Sequence, residues 1–282
     1  HGTKIRLPYP SVGATEQVLL ASVLADGITE ISNAAIEPEV MDLIAVLQKM
    51  GAIISVDTHR VITIHGVEKL SGFKHKALPD RLEAASWACL AAATNGRIFV
   101  RGAEQMIMMT FLNAFRQAGG AFDVRENGIE FWRADKTLQA MALETDVHPG
   151  FMTDWQQPFV VMLTQAEGLS VMHETVYEGR FGYVEALKSM GARIQLYQRC
   201  LGQISCRFAN RNALHSAVIA GPTVLRGAEI HIPDLRGGFS YIIAALVAEG
   251  VSKLSNVRII RRGYENIFGK LRALKANIHE EE

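Results

Sequence analysis

Apolar residues in this chain fall into two kinds of run. One kind is apolar nearly all round: Val18-Leu19-Leu20, Phe159 to Leu163 and Ile242 to Val247. Helices with that character are buried on most sides. The other kind is amphipathic. Val40, Leu43, Ile44, Leu47 and Met50 recur at helical spacing, and so do Val184, Leu187 and Met190. Short strand-like runs lie between them, such as Arg60-Val61-Ile62-Thr63-Ile64, which alternates well enough to leave one face wet. Buried helices with half-exposed strands predict an α+β fold, with helices inside and sheets outside.

The pattern repeats. Four apolar runs end in a small or polar pair followed by glycine, at Gly27, Gly96, Gly168 and Gly250, so the spacings are 69, 72 and 82 residues. Each is followed by a strand-like run and an amphipathic helix. That helix ends at Met50-Gly51-Ala52, Ala118-Gly119-Gly120, Met190-Gly191-Ala192 and Leu274-Lys275-Ala276. A period near 70 is too long for a solenoid and fits pseudo-symmetric domains built from repeated units. The segment from about Leu196 to Ala228 breaks the period and reads as an extended hairpin or loop insertion. The predicted division is one repeat over 1–78 and three over 79–282.

Each first helix carries a start signal: Ser11-Val12-Gly13-Ala14-Thr15, Pro79-Asp80-Arg81, Thr153-Asp154-Trp155 and Pro233-Asp234-Leu235. Ser, Thr and Asp at such places accept the unpaired amides of the first turn. Several helix N-termini aimed at one region also favour phosphate or carboxylate. Arginines recur at matching places: Arg81 and Arg236 directly after start signals, Arg180 and Arg262 before second helices. Their planar forks suit carboxylate and phosphate.

Charge sharpens this picture. Lys plus Arg and Asp plus Glu each number 29, and the formal net charge is zero. No global field attracts nucleic acid or an anionic membrane, so an anionic ligand must be held locally. No apolar run approaches the ~20 residues of a spanning helix, and no signal peptide is visible. The three cysteines, Cys89, Cys200 and Cys206, give no disulfide framework and suit a reducing cytoplasm. Cys200 and Cys206, with His215 beyond, are separated by more than the usual two to four residues of a zinc pair. They read as ordinary loop thiols, and no metal or other cofactor is expected.

Taken in order, the motifs resemble a known family. They are Ser11 to Thr15, Asn33-Ala34-Ala35 with Glu37-Pro38-Glu39, Leu78-Pro79-Asp80-Arg81 and Thr153-Asp154. Then come Glu174-Thr175-Val176-Tyr177-Glu178 with Arg180-Phe181, Asp234-Leu235-Arg236, and Arg262-Gly263-Tyr264. The set is similar to that of the UDP-N-acetylglucosamine enolpyruvyl transferases and spans essentially the whole chain. The resemblance implies an inside-out α/β barrel of the enolpyruvyl transferase type, with six units in two domains. The four units here correspond to the last unit of one domain and the three of the other. It also implies a preceding segment, or a complementing chain, that holds two further units, the mobile loop with the reactive cysteine and a Lys-Asn pair. None of the three cysteines present matches that loop.

The implied reaction moves enolpyruvyl from phosphoenolpyruvate to the sugar 3-hydroxyl of UDP-N-acetylglucosamine, the first committed step of peptidoglycan synthesis. Carried over by motif, Ser11, Val12 and Gly13 contact the uridine nucleotide, with Val176 and Tyr177 nearby. Asp154 faces the 3-hydroxyl as general base. Arg236 and Arg262 face the carboxylate and phosphate of phosphoenolpyruvate. Arg81, Arg180, Glu37 and Glu39 lie around the cleft or form a charge network between domains. The sequence departs from the family at Tyr9, often Lys, at Ile36, often Arg, at Arg261, often Asp, and at Lys275, usually Gly. Two other readings compete: a non-catalytic nucleotide-sugar-binding or regulatory paralogue, and an interaction module built from the same repeats.

Overall fold

A computed structural model describes residues 1–204 and 206–280, and of Arg236 the backbone alone. The chain forms two compact units: His1–Pro79 with Val147–Pro149, and Asp80–Asp146 with Gly150–Glu282. A linear division at 78/79 cannot include Val147–Pro149 in the first unit. That segment is held there because the His148 amide donates to Glu37 Oε1 at 3.4 Å and Arg60 donates to the His148 carbonyl.

The first unit runs β1 (Lys4–Arg6), α1 (Val12–Ser22), β2 (Ile28–Ser32), α2 (Pro38–Lys49), β3 (Ile53–Val56) and β4 (Ile62–His65). Its sheet has the order β1-β2-β4-β3, with β1 parallel to β2 and the other pairs antiparallel. Leu19, Ile31, Val40, Ile44, Ile62 and Ile64 fill its core. α1 departs from the all-round burial that its apolar run predicts. It buries Thr15, Leu19 and Ser22, and leaves Leu20 50% exposed. Within its unit it packs on α2, β2 and β4, so one face is covered.

In the second unit the same kind of helix is enclosed. Its elements begin α3 (Arg81–Ala93), β5 (Arg97–Arg101), α4 (Met109–Gln117), β6 (Gly120–Arg125), β7 (Gly128–Arg133), β8 (Leu138–Gln139) and β9 (Ala142–Glu144). They continue α5 (Thr153–Leu163), β10 (Ala166–His173), α6 (Val184–Ser189), β11 (Arg193–Tyr197) and β12 (Ser216–Gly221). The last are β13 (Glu229–His231), α7 (Leu235–Val247), β14 (Lys253–Ser255) and α8 (Ile267–Ala273). α3, α5 and α7 pack against one another, and α5 is buried from Trp155 to Leu163. Three sheets lie outside them: β5-β7-β6; β11-β12-β10-β8 with β9 also on β10; and β13-β14. Helices lie inside and sheets outside, as the apolar pattern predicts. The segment that broke the period is the β11–β12 antiparallel hairpin with its long loop.

The four second helices close with one turn. Gly51, Gly119 and Gly191 have φ of 104°, 88° and 99°, and Lys275 takes the same place at φ 64°. Ala52 bonds back to Leu47, and Ala276 bonds back to Leu271, in the same pattern. Lys275 thus holds a left-handed turn for which glycine is the usual residue. Among the described residues, no helix is long and apolar enough to cross a membrane.

Candidate active site

The site is built around the first turn of α5. Trp155 is 1% exposed and meets Phe111 and Phe151 edge-on, each at 5.5 Å between ring centroids. The Arg81 guanidinium lies 5.3 Å over the same ring, and the indole N–H donates to the Arg81 carbonyl at 3.3 Å. Burying a large aromatic side chain stabilises by about 1.5–3 kcal/mol, so this cluster fixes where the helix begins. Pro158 has no N–H for the carbonyl four residues earlier, that of Asp154.

Thr153 and Asp154 were expected to cap this helix, but they do not. The capping position is Met152, which makes no side-chain cap bond, and Thr153 and Asp154 are the first two helical residues. Asp154 Oδ1 instead pairs with Arg180 Nη2 at 2.8 Å, with the two side chains 14% and 12% exposed. Arg180 Nε donates to Thr153 Oγ1 at 3.0 Å, and that hydroxyl donates to Glu174 Oε2 at 3.0 Å. The Arg180 guanidinium also lies 4.8 Å over the Tyr177 ring.

Glu174 anchors this network. It is fully buried, and its Oε1 accepts from the Thr145 hydroxyl at 2.9 Å and from the Val176 and Tyr177 amides at 2.8 and 2.9 Å. Burial pushes its carboxyl above the usual range. The Tyr177 and Val176 amides, the Thr145 hydroxyl and the Arg180 charge offset part of that rise. These bonds hold the loop that carries Val176 and the half-exposed Tyr177. In the sequence Glu174 stands out only as the first residue of the motif Glu174-Thr175-Val176-Tyr177-Glu178. A carboxylate between apolar β10 and a polar loop is the signal that marks it.

Around this pair opens a cleft of about 500 Å³, lined by Asp154, Gln157, Tyr177, Gly179, Arg180, Gly182, Tyr183 and Asp234. Gln157 was not anticipated. It sits one turn beyond Asp154 and is 3% exposed, and its Oε1 has no hydrogen-bond partner among the described residues. Tyr183 donates to Gln156 Oε1 at 2.9 Å, and burial raises its hydroxyl well above the usual tyrosine range. Asp234 caps α7 by accepting from the Gly237 amide at 2.8 Å. Arg236 lies in the first turn of α7, but its side chain falls outside the described residues. Arg262 is exposed at the end of the 3₁₀ turn Val257–Arg262 and does not line the cleft. Arg81 is buried behind Trp155 and reaches the Ile107 carbonyl at 3.4 Å.

The other expected residues belong to the first unit. Ser11 caps α1 by accepting from the Ala14 amide at 3.3 Å. The Thr15 hydroxyl donates to the Ser11 carbonyl at 2.8 Å and accepts from the Ala35 amide at 2.9 Å. The two motif segments are therefore fastened to each other. Val12 and Gly13 open the helix. A side chain added at Gly13 would meet nothing within 4 Å, so packing does not explain the glycine. Tyr9 precedes the cap. Glu37 is 7% exposed at the start of α2, with Oε2 unpartnered among the described residues. Glu39 lies in the first turn of α2, and its charge, after burial, helps raise the carboxyl of Glu16. The thiols Cys200 and Cys206 do not stand alone in their loop; the fold gathers them with His173 and His215.

A profile of the EPSP synthase (3-phosphoshikimate 1-carboxyvinyltransferase) family matches residues 1–271. The chain is 57% identical over 277 residues to the UDP-N-acetylglucosamine 1-carboxyvinyltransferase of Protochlamydia amoebophila, covering 98% of this chain and 60% of that protein. It is 52% identical to the protein of the same name from Chlamydia abortus, covering 99% of this chain and 63% of the relative. The chain thus spans about three fifths of the length of these relatives. The crystal structure of the enolpyruvyl transferase NikO from Streptomyces tendae superposes with a TM-score of 0.81 at 24% identity, over 96% of this chain and 61% of that one. EPSP synthase from Acinetobacter baumannii superposes at 0.71 with 18% identity, over 96% and 62% of the two chains.

Proposed function

We propose, because this chain belongs to the EPSP synthase (3-phosphoshikimate 1-carboxyvinyltransferase) family, that it takes part in enolpyruvyl transfer from phosphoenolpyruvate to the 3-hydroxyl of UDP-N-acetylglucosamine, in the cytoplasm. Its substrates are small molecules, and the product feeds peptidoglycan synthesis. The observation that carries this reading is the placement of Asp154. A carboxylate at a helix start normally accepts the first-turn amides. Here it faces a cleft and is oriented by Arg180 at 2.8 Å. In this reading Asp154 accepts the hydroxyl proton of the sugar as the new C–O bond forms. Arg180 and Thr153 hold the direction of its carboxylate, and Glu174 holds Thr153. Arg236 and Arg262 balance the charge of the phosphorylated co-substrate.

Ser11, Val12, Gly13, Val176 and Tyr177 take the nucleotide in this proposal. Gly13 supports the assignment, since an open glycine at a helix start lets a ligand approach the backbone. Tyr9, Glu37 and Glu39 support that contact from the first unit, and Arg81 steadies the start of α5 through Trp155, none of them touching the reacting atoms. Calorimetry with UDP-N-acetylglucosamine, set against N-acetylglucosamine alone, tests the binding half. Tighter binding of the nucleotide sugar is expected; equal affinity overturns it. Phosphate release from phosphoenolpyruvate, assayed with the protein as the cell makes it, tests the chemistry. Binding without any release favours the non-catalytic paralogue.

A further inference from the structure

Two cysteines and two histidines from separate stretches converge at one end of the β10–β12 sheet. Cys200 and Cys206 lie in the β11–β12 loop, His215 immediately precedes β12, and His173 ends β10. One donor atom from each lies within 4.8 Å of all the others. Cys200 Sγ is 3.4 Å from Cys206 Sγ and 3.5 Å from His215 Nε2, and both cysteines are free thiols. Both imidazoles are oriented from behind. His215 Nδ1 lies 2.8 Å from the Ala213 carbonyl, and His173 Nδ1 lies 2.9 Å from Glu144 Oε2. His173 is 0% exposed, and its Nε2 is buried with no hydrogen-bond partner among the described residues. An orphaned buried nitrogen of this kind is destabilising, and a ligand removes that cost.

We propose that His173, Cys200, Cys206 and His215 bind one zinc ion in a closed tetrahedral site. Zinc bonds of about 2.3 Å to sulfur and 2.0–2.1 Å to nitrogen imply tetrahedral edges of about 3.8 Å between sulfurs and 3.6 Å from sulfur to nitrogen. The observed 3.4 and 3.5 Å lie within a few tenths of an ångström of these edges, and no pair of donor atoms is more than 4.8 Å apart, so closing the site on an ion requires side-chain shifts of at most about 1 Å. Two thiolates and two neutral imidazoles balance the dication, so the buried site carries no net charge. Two sulfurs with two imidazoles in this geometry select zinc among common cellular metals. Four protein ligands leave no open position, so the role is structural. Glu144 completes a carboxylate–histidine–metal relay. It also accepts the Gln203 and Ile204 amides at 2.7 and 2.8 Å, which wraps the loop around the site.

The ion would pin this loop against the strand that leads into Glu174. From the same loop, Arg207 donates to the Val176 carbonyl at 2.6 Å and lies 3.7 Å from Glu178. The metal site therefore supports the segment that frames the cleft, whatever reaction the cleft performs. Sequence spacing could not reveal it, because His173 enters from a strand 27 residues upstream of Cys200.

Elemental analysis of protein purified without chelator is expected to find one zinc per chain, lost in the Cys200→Ser/Cys206→Ser double variant. Cobalt exchanged into the reduced wild type should give thiolate-to-cobalt charge transfer and intense tetrahedral d–d bands. Glu144→Gln should keep the site but weaken zinc about 10–100-fold. If the double variant fails to fold, alkylation of the wild type decides. Cys200 and Cys206 should be protected by zinc and released by chelator, with buried Cys89 unchanged as the control. Wild type without zinc and without cobalt bands overturns the proposal. So does equal alkylation with and without metal, or a Cys200–Cys206 disulfide that persists in zinc.

Discussion

Asp80 and Asp154 open equivalent helices one repeat apart, yet their carboxylates are used differently. Asp80 is the N-cap of α3 and accepts from the Leu82 and Glu83 amides at 2.7 and 3.1 Å. It is exposed and lies outside the cleft lining. In α5 the helix begins one residue before the carboxylate, at Thr153, rather than one residue after it, so Asp154 lies within the first turn and pairs with Arg180. A shift of helix frame by two positions, from N-cap to second residue, turns a structural carboxylate into one available for chemistry. Family-like motifs do not show this frame; the buried Trp155 cluster and Pro158 set it.

Asp154→Asn should produce the largest effect. Asn still accepts the Arg180 bond through its amide oxygen, so the stability loss should stay near 1 kcal/mol. It cannot take the sugar proton. General base catalysis is worth about 10²–10⁴-fold, or about 3–5 kcal/mol of barrier. Turnover in the phosphate-release assay should fall by that factor. A loss below tenfold breaks the distinction from Asp80.

Glu174→Ala comes next. It leaves two hydroxyls and two amides without their acceptor, each costing about 1–3 kcal/mol when buried. Partial relaxation brings the expected loss to about 3 kcal/mol in urea unfolding. A loss under 1 kcal/mol would mean that Glu174 does not hold the loop. A smaller effect follows from its titration. Burial raises the folded carboxyl above the unfolded value near 4.3, so the folded state holds this proton more tightly. The resulting stability is present below that value and declines as pH rises through the raised one. Glu174→Gln, neutral throughout, should flatten that part of the melting-temperature profile. An unchanged slope would remove Glu174 as its source.

Much of the fold was legible because it rests on local pattern. The four glycine-terminated runs, the four second-helix turns and the strained place of Lys275 follow from spacing and backbone preference alone. The enclosure of α5 followed from its all-round apolar run, whereas α1, with a similar run, is half exposed. Burial depends on neighbours that a helix does not encode. The candidate site was legible where the motifs carried it, as at Asp154, Arg180 and Tyr177. Gln157 and the cluster of His173 with Cys200, Cys206 and His215 come from contacts across many residues. No local spacing rule anticipates such contacts.

The smallest effects should come from Asp80, and they test the comparison from the other side. Asp80→Ala removes the acceptor for two first-turn amides, and such a loss costs about 1 kcal/mol. Asp80→Asn should cost almost nothing, because Asn caps about as well as Asp. Neither change touches the cleft, so turnover should stay within a factor of two of wild type for the Asn variant. The pair of Asn variants is therefore the sharpest discriminant. The two substitutions are chemically identical and sit at matching helix starts, so any general cost of removing a negative charge near a helix dipole is shared between them. What remains is the difference in use. A large turnover loss at Asp154 beside none at Asp80 isolates proton transfer. Equal, small losses at both positions would make Asp154 a structural residue like its counterpart, oriented by Arg180 only to hold the start of α5.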